Sequence, residues 1–209
     1  EAHATQTNLL RVLRTLAPKA HVVTMPCHKL GPVYTIQAAF DFIPDSEPVI
    51  VNYCDALSKF SLQDFLNYAT THNLDGCIFT HTGFHPHTLS TTKMAFCLVK
   101  GRSVLKVQEK ASYTDNPKNE HASSGLYYFR TGAILKHFFR QAIEKELRHN
   151  GEYYVTLVYN LLIEANLYVG FYDTPAAILG TPENVLNCEA WAQITQSSIT
   201  EDDLIQSYL

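Results

Sequence analysis

The sequence predicts a single α/β domain built around a mixed sheet, and three observations predict it. Helical and strand periodicities alternate through the first third of the chain, as a sheet flanked by helices requires. The middle third turns hairpin-rich, which brings antiparallel strands into that sheet. The length of 209 residues, with 46% hydrophobic and 17% charged residues, is enough to bury roughly 70% of the unfolded chain's surface without a disulfide or metal staple.

Taken in order, Asn8 to Leu16 places Leu9, Leu10, Val12, Leu13 and Leu16 at helical spacing, with Thr7 as N-cap. His21 to Met25 reads as a short strand. Gly31-Pro32 opens a helix through Phe42, and proline is tolerated in that first turn. Pro48 to Tyr53 is a continuous apolar run, the pattern of a strand buried on both faces of a parallel sheet, and it ends at Asp55. Ser61 caps a helix to about Thr71, and Asp75 to Thr82 makes the next strand. Ala95 to Val99 and Val104 to Gln108 flank Lys100-Gly101-Arg102, a hairpin turn. Ser123 to Arg130 is a strand and Gly132 to Arg148 a long amphipathic helix. Tyr153 to Glu164 forms a helix, Tyr168 to Asp173 a strand, and Pro182 to Trp191 the last helix. Residues 1–194 read as one domain and 195–209 as an acidic tail.

The net charge of −4, with ten histidines counted neutral, supplies no basic field for nucleic acid or an anionic membrane. No apolar run approaches the ~18 residues that span a bilayer, and no signal peptide opens the sequence. The cysteines Cys27, Cys54, Cys77, Cys97 and Cys188 are odd in number and form no C-x-x-C pair, which points to a reducing, cytoplasmic compartment.

Several short constellations carry chemistry. Val49-Ile50-Val51-Asn52-Tyr53-Cys54-Asp55 ends a strand on a carboxylate, and ligands of open α/β sheets bind outside the carboxyl ends of strands. A hard cation such as Mg²⁺ takes one or two carboxylates plus substrate phosphates, so Asp55 suits it, although an aspartate capping the next turn looks the same. Lys29-Leu30-Gly31-Pro32 pairs a glycine, which permits close backbone approach, with a helix N-terminus. Glu109-Lys110 puts an acid and a base at a strand end, where they grip hydroxyls and a phosphate or merely edge a hairpin. Asn150-Gly151-Glu152 ends one helix and sets a carboxylate in the opening turn of the next, where the helix dipole alone rewards it by ~0.3–1 kcal/mol. His81, His85 and His87 have the look of Zn²⁺ ligands, but Pro86 sits between two of them and no fourth ligand is evident. Tyr127-Tyr128 and Tyr153-Tyr154 read as core and rim packing. A nucleophile elbow and a Walker loop are missing from the sequence.

In this order the segments GPVYTIQAA, VIVNYCD, DGCIFTHTGFHPH, VLKVQEKASY, SSGLYYFRTGAI, NGEYYVTLVYNLLI and LGTPENV resemble the sugar-phosphate nucleotidyltransferases, the family that makes nucleotide-sugars. The likeness runs from about Thr7 to Trp191. It implies a Rossmann-like, mixed, mostly parallel sheet flanked by helices. It also implies a reaction in which a sugar 1-phosphate oxygen attacks the α-phosphorus of a nucleoside triphosphate and pyrophosphate leaves, with Mg²⁺ as cofactor. Residue by residue, it implies that Asp55 binds Mg²⁺ and Gly31 lies against the base. Glu109 and Lys110 hold the sugar and its phosphate, Lys110 counting with Asp55 as catalytic. Gly125 lies by the sugar, Glu152 lines the same pocket, and Gly180 and Thr181 close the metal side.

Two departures accompany the resemblance. The family's opening glycine-rich loop, which grips the triphosphate, has no counterpart here, so the domain reads as N-terminally truncated, with an exposed sheet edge that invites homo-oligomerisation. Ile178 stands where many members place a second metal-binding aspartate, and isoleucine cannot ligate Mg²⁺. The expected ancestral or full-length function is nucleotidyl transfer to a sugar 1-phosphate for capsule or other surface-polysaccharide precursors, with this 209-residue piece alone expected to be weak or inactive. The alternatives are a catalytically impaired binding module of the same fold, or a phosphocholine cytidylyltransferase-like relative. A glycosyltransferase is discounted because Asp55 is followed by Ala56-Leu57 and not by the Asp-x-Asp of that class.

Overall fold

The computed structural model describes residues 7–83 and 94–196. Its strands are β1 (Val49–Asn52), β2 (Ala56–Ser58), β3 (Gly76–His81), β4 (Phe96–Lys100), β5 (Ser103–Gln108), β6 (His121–Phe129), β7 (Val169–Asp173) and β8 (Ala176–Ile178). Its α-helices are α1 (Leu9–Leu16), α2 (Pro32–Gln37), α3 (Leu62–Thr71), α4 (Gly132–Glu144), α5 (Val155–Glu164) and α6 (Pro182–Gln196). Six strands form the main sheet in the order β1-β6-β3-β7-β5-β4, and β2 pairs with β8 in a separate ribbon. The mixed α/β sheet expected of the sequence is there. Its parallel character resides in β1, β3 and β7, which share one direction, while β6 runs antiparallel between β1 and β3. Among the described residues β3–β7 is the parallel ladder and the others are antiparallel. An antiparallel entry needs no helical crossover, so β6 reaches the gap directly after the β4–β5 hairpin.

Alternation on the central strands feeds two cores. Ile78, Tyr127 and Phe129 point into one with Leu135, Phe139, Val158 and Leu162 of α4 and α5. Cys77, Phe79, Leu126 and Tyr128 point into the other with Phe65 and Ala69 of α3. Every residue of β3 is buried, as a strand covered on both faces should be. Helices α3 and α4 start where the sequence says, whereas α5 starts at Val155 and not Tyr153, and α1 has Asn8 and not Thr7 at its N-cap position. Ser61 Oγ accepts from Asp64 N at 3.3 Å and Thr131 Oγ1 from Ile134 N at 3.2 Å, caps worth about 1 kcal/mol each.

Several expectations need correction. Residues 21–25 form no strand, and Val22 and Val23 stay exposed, because no neighbouring strand among the described residues offers them a ladder. Strand β1 packs Val49 and Val51 into one core and Ile50 against the other, but it is half-buried and among the described residues ladders antiparallel with β6 alone, so it is an edge strand and not one within a parallel sheet. Helix α4 stops at Glu144, since Glu146 takes the left-handed conformation at φ 51°. Asn150 and Gly151, at φ 51° and 83°, then make a tight turn closed by paired hydrogen bonds between His149 and Glu152. Glu152 therefore precedes α5 and does not sit in its first turn. The tail 197–209, His85 and His87 lie outside the described residues.

Candidate active site

The site grows from three strand ends and two helix starts. Strand β1 ends at Asn52, Tyr53 N then bonds Gly125 O at 3.0 Å, and Ala56 N bonds back to Tyr53 O at 3.1 Å. This turn presents Asp55 beyond the carboxyl end of β1. The ribbon of β2 and β8 sets Ala56 opposite Ile178, and Leu179 N bonds Asp55 O at 2.7 Å. Gly180 consequently lies against the Asp55 carboxylate. A Cβ there would come within 2.6 Å of Asp55 Oδ2. The carboxylate itself is half-buried and makes no hydrogen bond or ion pair with the described residues.

Glu109 and Lys110 follow β5, and α5 fixes where they sit. Asn160 accepts from Val107 N at 2.8 Å and donates to Val107 O at 2.9 Å, which clamps the end of the strand. One turn earlier on the same helix face, the Thr156 hydroxyl donates to Glu109 at 2.5 Å. Glu109 is 8% exposed, and burial pushes its pKa up, against the hydrogen bond from Thr156 and the charge of Lys110. Lys110 adopts φ 56°, which turns the chain sharply after the strand. Its Nζ donates to the Tyr154 hydroxyl at 2.6 Å, and that hydroxyl donates onward to the Glu152 carboxylate. The bond to Tyr154 is the main reason the Lys110 ammonium titrates above its ordinary value.

These groups surround a cavity of about 300 Å³. Asp55, Glu109, Lys110, Gly125, Gly180 and Thr181, all expected from the sequence, line it together with Tyr53, Tyr154, Thr156 and Asn184. Gly125, at φ 81°, forms a bulge in β6, and a side chain on it would meet Ala56 Cβ at 2.9 Å. Gly31 and Glu152 do not line the cavity. The backbone from Leu30 to Val33 brackets Tyr153 through bonds of 2.8 and 3.1 Å, and Gly31 at φ 85° lies flat against that residue. Glu152 reaches the site through Tyr154. The larger neighbouring cavity, about 480 Å³, includes His81 and Lys118 and shares only Met94 and Lys110 with the first, so it is not where the expected residues meet.

Tyr154, Thr156 and Asn184 are among the lining residues that escaped the sequence reading. Tyr154 was expected to be packing. Tyr153 does pack in the core, but its neighbour projects to the opposite side and bridges Lys110 and Glu152. Thr156 had a signal, since it precedes Asn160 by one helical turn. Asn184, three residues after the Thr181 cap, gave none, because burial of a polar side chain has no local signature. His81 is 4% exposed at the end of β3, and no metal-binding group of three or more His, Cys, Asp or Glu occurs among the described residues.

No known family profile and no curated protein matches the sequence. Solved structures do match the fold. A nucleoside-diphosphate-sugar pyrophosphorylase from Vibrio cholerae RC9 superposes with a TM-score of 0.66 at 16% identity, over 86% of this chain and 75% of that one. A putative glucose-1-phosphate thymidylyltransferase from Bacillus anthracis gives 0.64 at 14% identity, over 88% and 72%. A UDP-glucose pyrophosphorylase complexed with UDP-glucose gives 0.62 at 15% identity, over 91% and 73%. The chain thus has the fold of the nucleotide-sugar pyrophosphorylases.

Proposed function

We propose that the chain is a nucleotidyltransferase domain that joins a nucleoside triphosphate to a sugar 1-phosphate, giving a nucleoside-diphosphate sugar and pyrophosphate. One observation carries this reading: Asp55, a carboxylate without a partner among the described residues, converges on one cavity at the strand ends with the buried Glu109 and its half-buried neighbour Lys110. The likeness in fold to the pyrophosphorylases supports it. So does the scale of the cavity, at the lower end of the ~300–1,000 Å³ of ligand pockets, which suits a sugar phosphate with the nucleotide extending beyond it.

In this reaction a phosphate oxygen of the sugar 1-phosphate attacks the α-phosphorus. The new P–O bond forms as the bond to the β-phosphate oxygen breaks, and pyrophosphate departs with the electron pair. Positioning and charge neutralisation supply the catalysis. Lys110, held by Tyr154 and Glu152, steadies the attacking phosphate. Glu109 accepts from sugar hydroxyls, which replace the water its burial has removed. Gly125 keeps the wall beside the sugar free of a side chain. Asp55 fits a divalent cation, because its carboxylate is half-buried, unpartnered and flanked by a residue without a side chain. Mg²⁺ bound there would neutralise charge developing on the transferring phosphate. Ile178, facing Ala56 across the ribbon, offers no second carboxylate, so Asp55 and the substrate phosphates would share the cation.

The test is pyrophosphate release with Mg²⁺ from CTP, UTP, dTTP or GTP and a panel of sugar 1-phosphates and phosphocholine, with binding of each phosphate followed by calorimetry. The reading expects turnover with one sugar 1-phosphate, abolished in Asp55→Asn. Sugar phosphate binding without turnover would identify a binding module. Turnover with phosphocholine alone would make phosphocholine, and not a sugar 1-phosphate, the acceptor. Neither binding nor turnover with any acceptor would refute the site.

A further inference from the structure

Asn184 is the feature of the cavity that packing does not account for. It is the third residue of α6, and its backbone N–H is satisfied by Thr181 Oγ1 at 3.1 Å. Its side chain is 2% exposed and lines the cavity, yet neither Nδ2 nor Oδ1 has a hydrogen-bond partner among the described residues. A buried carboxamide normally satisfies its polar atoms, and leaving both orphaned is costly to the fold. Pairs of this kind persist where the partner arrives with a ligand.

We infer that Asn184 is a substrate-binding residue whose carboxamide N–H donates to a phosphate oxygen of the phosphorylated substrate. The inference rests on the nucleotidyltransferase reading of the cavity and adds to it a phosphate contact at the Asp55 end. Three features select phosphate over a bare sugar. Asn184 stands one turn from Gly180, which touches Asp55, so its amide belongs to the side where phosphate and cation would meet. It lies in the first turn of a fifteen-residue helix, whose dipole favours an anion. The side chain is neutral and can donate, so it can contact phosphate beside the Asp55 carboxylate without adding like charge. The remaining Oδ1 accepts from a hydroxyl or a water of the bound substrate.

Asn184→Leu keeps the branched shape at a somewhat larger volume and removes both polar atoms. Asn184→Asp keeps the helix start, since a carboxylate is favoured in a first turn, and places a second negative charge beside Asp55. The probes are glucose 1-phosphate, inorganic phosphate and methyl glucoside, titrated by calorimetry against the parent chain, both variants and Lys110→Ala, with melting temperatures alongside. The Asn184 side-chain amide signals, assigned in the ¹⁵N spectrum by their loss in Asn184→Leu, are followed in the parent.

The expected result has four parts. The leucine variant melts at the parent temperature or above it. It binds glucose 1-phosphate and inorganic phosphate about tenfold more weakly, the loss of one charge-assisted hydrogen bond, with the glucoside unaffected. The aspartate variant binds phosphate more weakly still. The amide signals shift on adding phosphate. A leucine variant that melts lower while phosphate affinity holds would make Asn184 structural and overturn the inference. If Lys110→Ala loses phosphate and neither Asn184 variant does, the inference fails while the reading of the cavity stands. If the parent binds none of the probes and the amide does not move, both fall together.

Discussion

Replacing Gly180 by alanine should separate activity from stability. The added Cβ would lie 2.6 Å from Asp55 Oδ2, whereas ordinary contact begins near 3.4 Å, so the carboxylate must retreat by about 0.8 Å. Gly180 is not among the glycines with positive φ, so alanine introduces no backbone strain there. The unfolded chain loses some freedom, a gain of ~0.4–1 kcal/mol that offsets the push on one short, otherwise unpartnered side chain. Folding stability should therefore stay within about 1 kcal/mol of the parent. Catalysis should not survive so well. A group displaced by about 1 Å from its working position costs on the order of a hundredfold in rate. The assay is kcat/KM for pyrophosphate release with Mg²⁺, with urea denaturation in parallel. The expected result is a fall of roughly fifty- to a hundredfold with an unchanged denaturation midpoint. A variant with kcat/KM within threefold of the parent would show that the Asp55 carboxylate need not stand where Gly180 leaves it, and would remove it from the mechanism.

The other perturbations discriminate in different ways. Gly31→Ala should be the structural counterpart: at φ 85°, with its Cβ 2.8 and 2.9 Å from the backbone N and O of Tyr153, neither side can yield, and the loss should be about 2–4 kcal/mol by urea denaturation. A loss below about 0.5 kcal/mol would contradict the packing described at Tyr153. Tyr154→Phe should bring the Lys110 ammonium down toward its ordinary pKa, read by NMR titration, and weaken sugar phosphate binding roughly tenfold, the value of one hydrogen bond to a charged group. Unaltered Lys110 titration would mean the hydroxyl does not hold it. Glu109 binds its proton more tightly folded than unfolded, so its ionisation costs stability as pH rises from the ordinary carboxylate value through the raised one. Glu109→Gln should flatten that part of the pH–stability curve and raise stability at neutral pH; a curve matching the parent's would sink the assignment. Asp173 runs the other way. Burial opposes its ionisation, but hydrogen bonds from His121 and Thr80 prevail and lower its pKa, so its contribution is complete above the unfolded value and lost as pH falls through the folded one. His121→Ala should shift acid unfolding to higher pH, and an unmoved midpoint would count against the pairing.

Much of the architecture was legible because it is local. The Ser61 cap, the Lys100–Arg102 hairpin and the strand signal of Asp75 to Thr82 each write their cause into a few adjacent residues. Glu109-Lys110 and Asp55 were legible for a related reason: acids and bases at strand ends lie where α/β sheets bind ligands. Strands need partners, and the sequence cannot show them. That is why His21 to Met25 looked like a strand and is none, while β2 and β8, three residues each, escaped notice until they paired.

The sequence by itself determined the alternation of elements, the turns and caps, and the residue types from which a phosphate site can be built. Only the tertiary structure decided which of those residues meet. The β2–β8 ribbon carries Gly180 onto Asp55 across more than a hundred positions of sequence, and α5 reaches back to clamp the end of β5. It also decided which polar groups are buried unpaired, as Asn184 is. The physical reason is the range of the forces: propensity and capping act within a turn or two, whereas burial and close approach depend on what long-range packing places alongside.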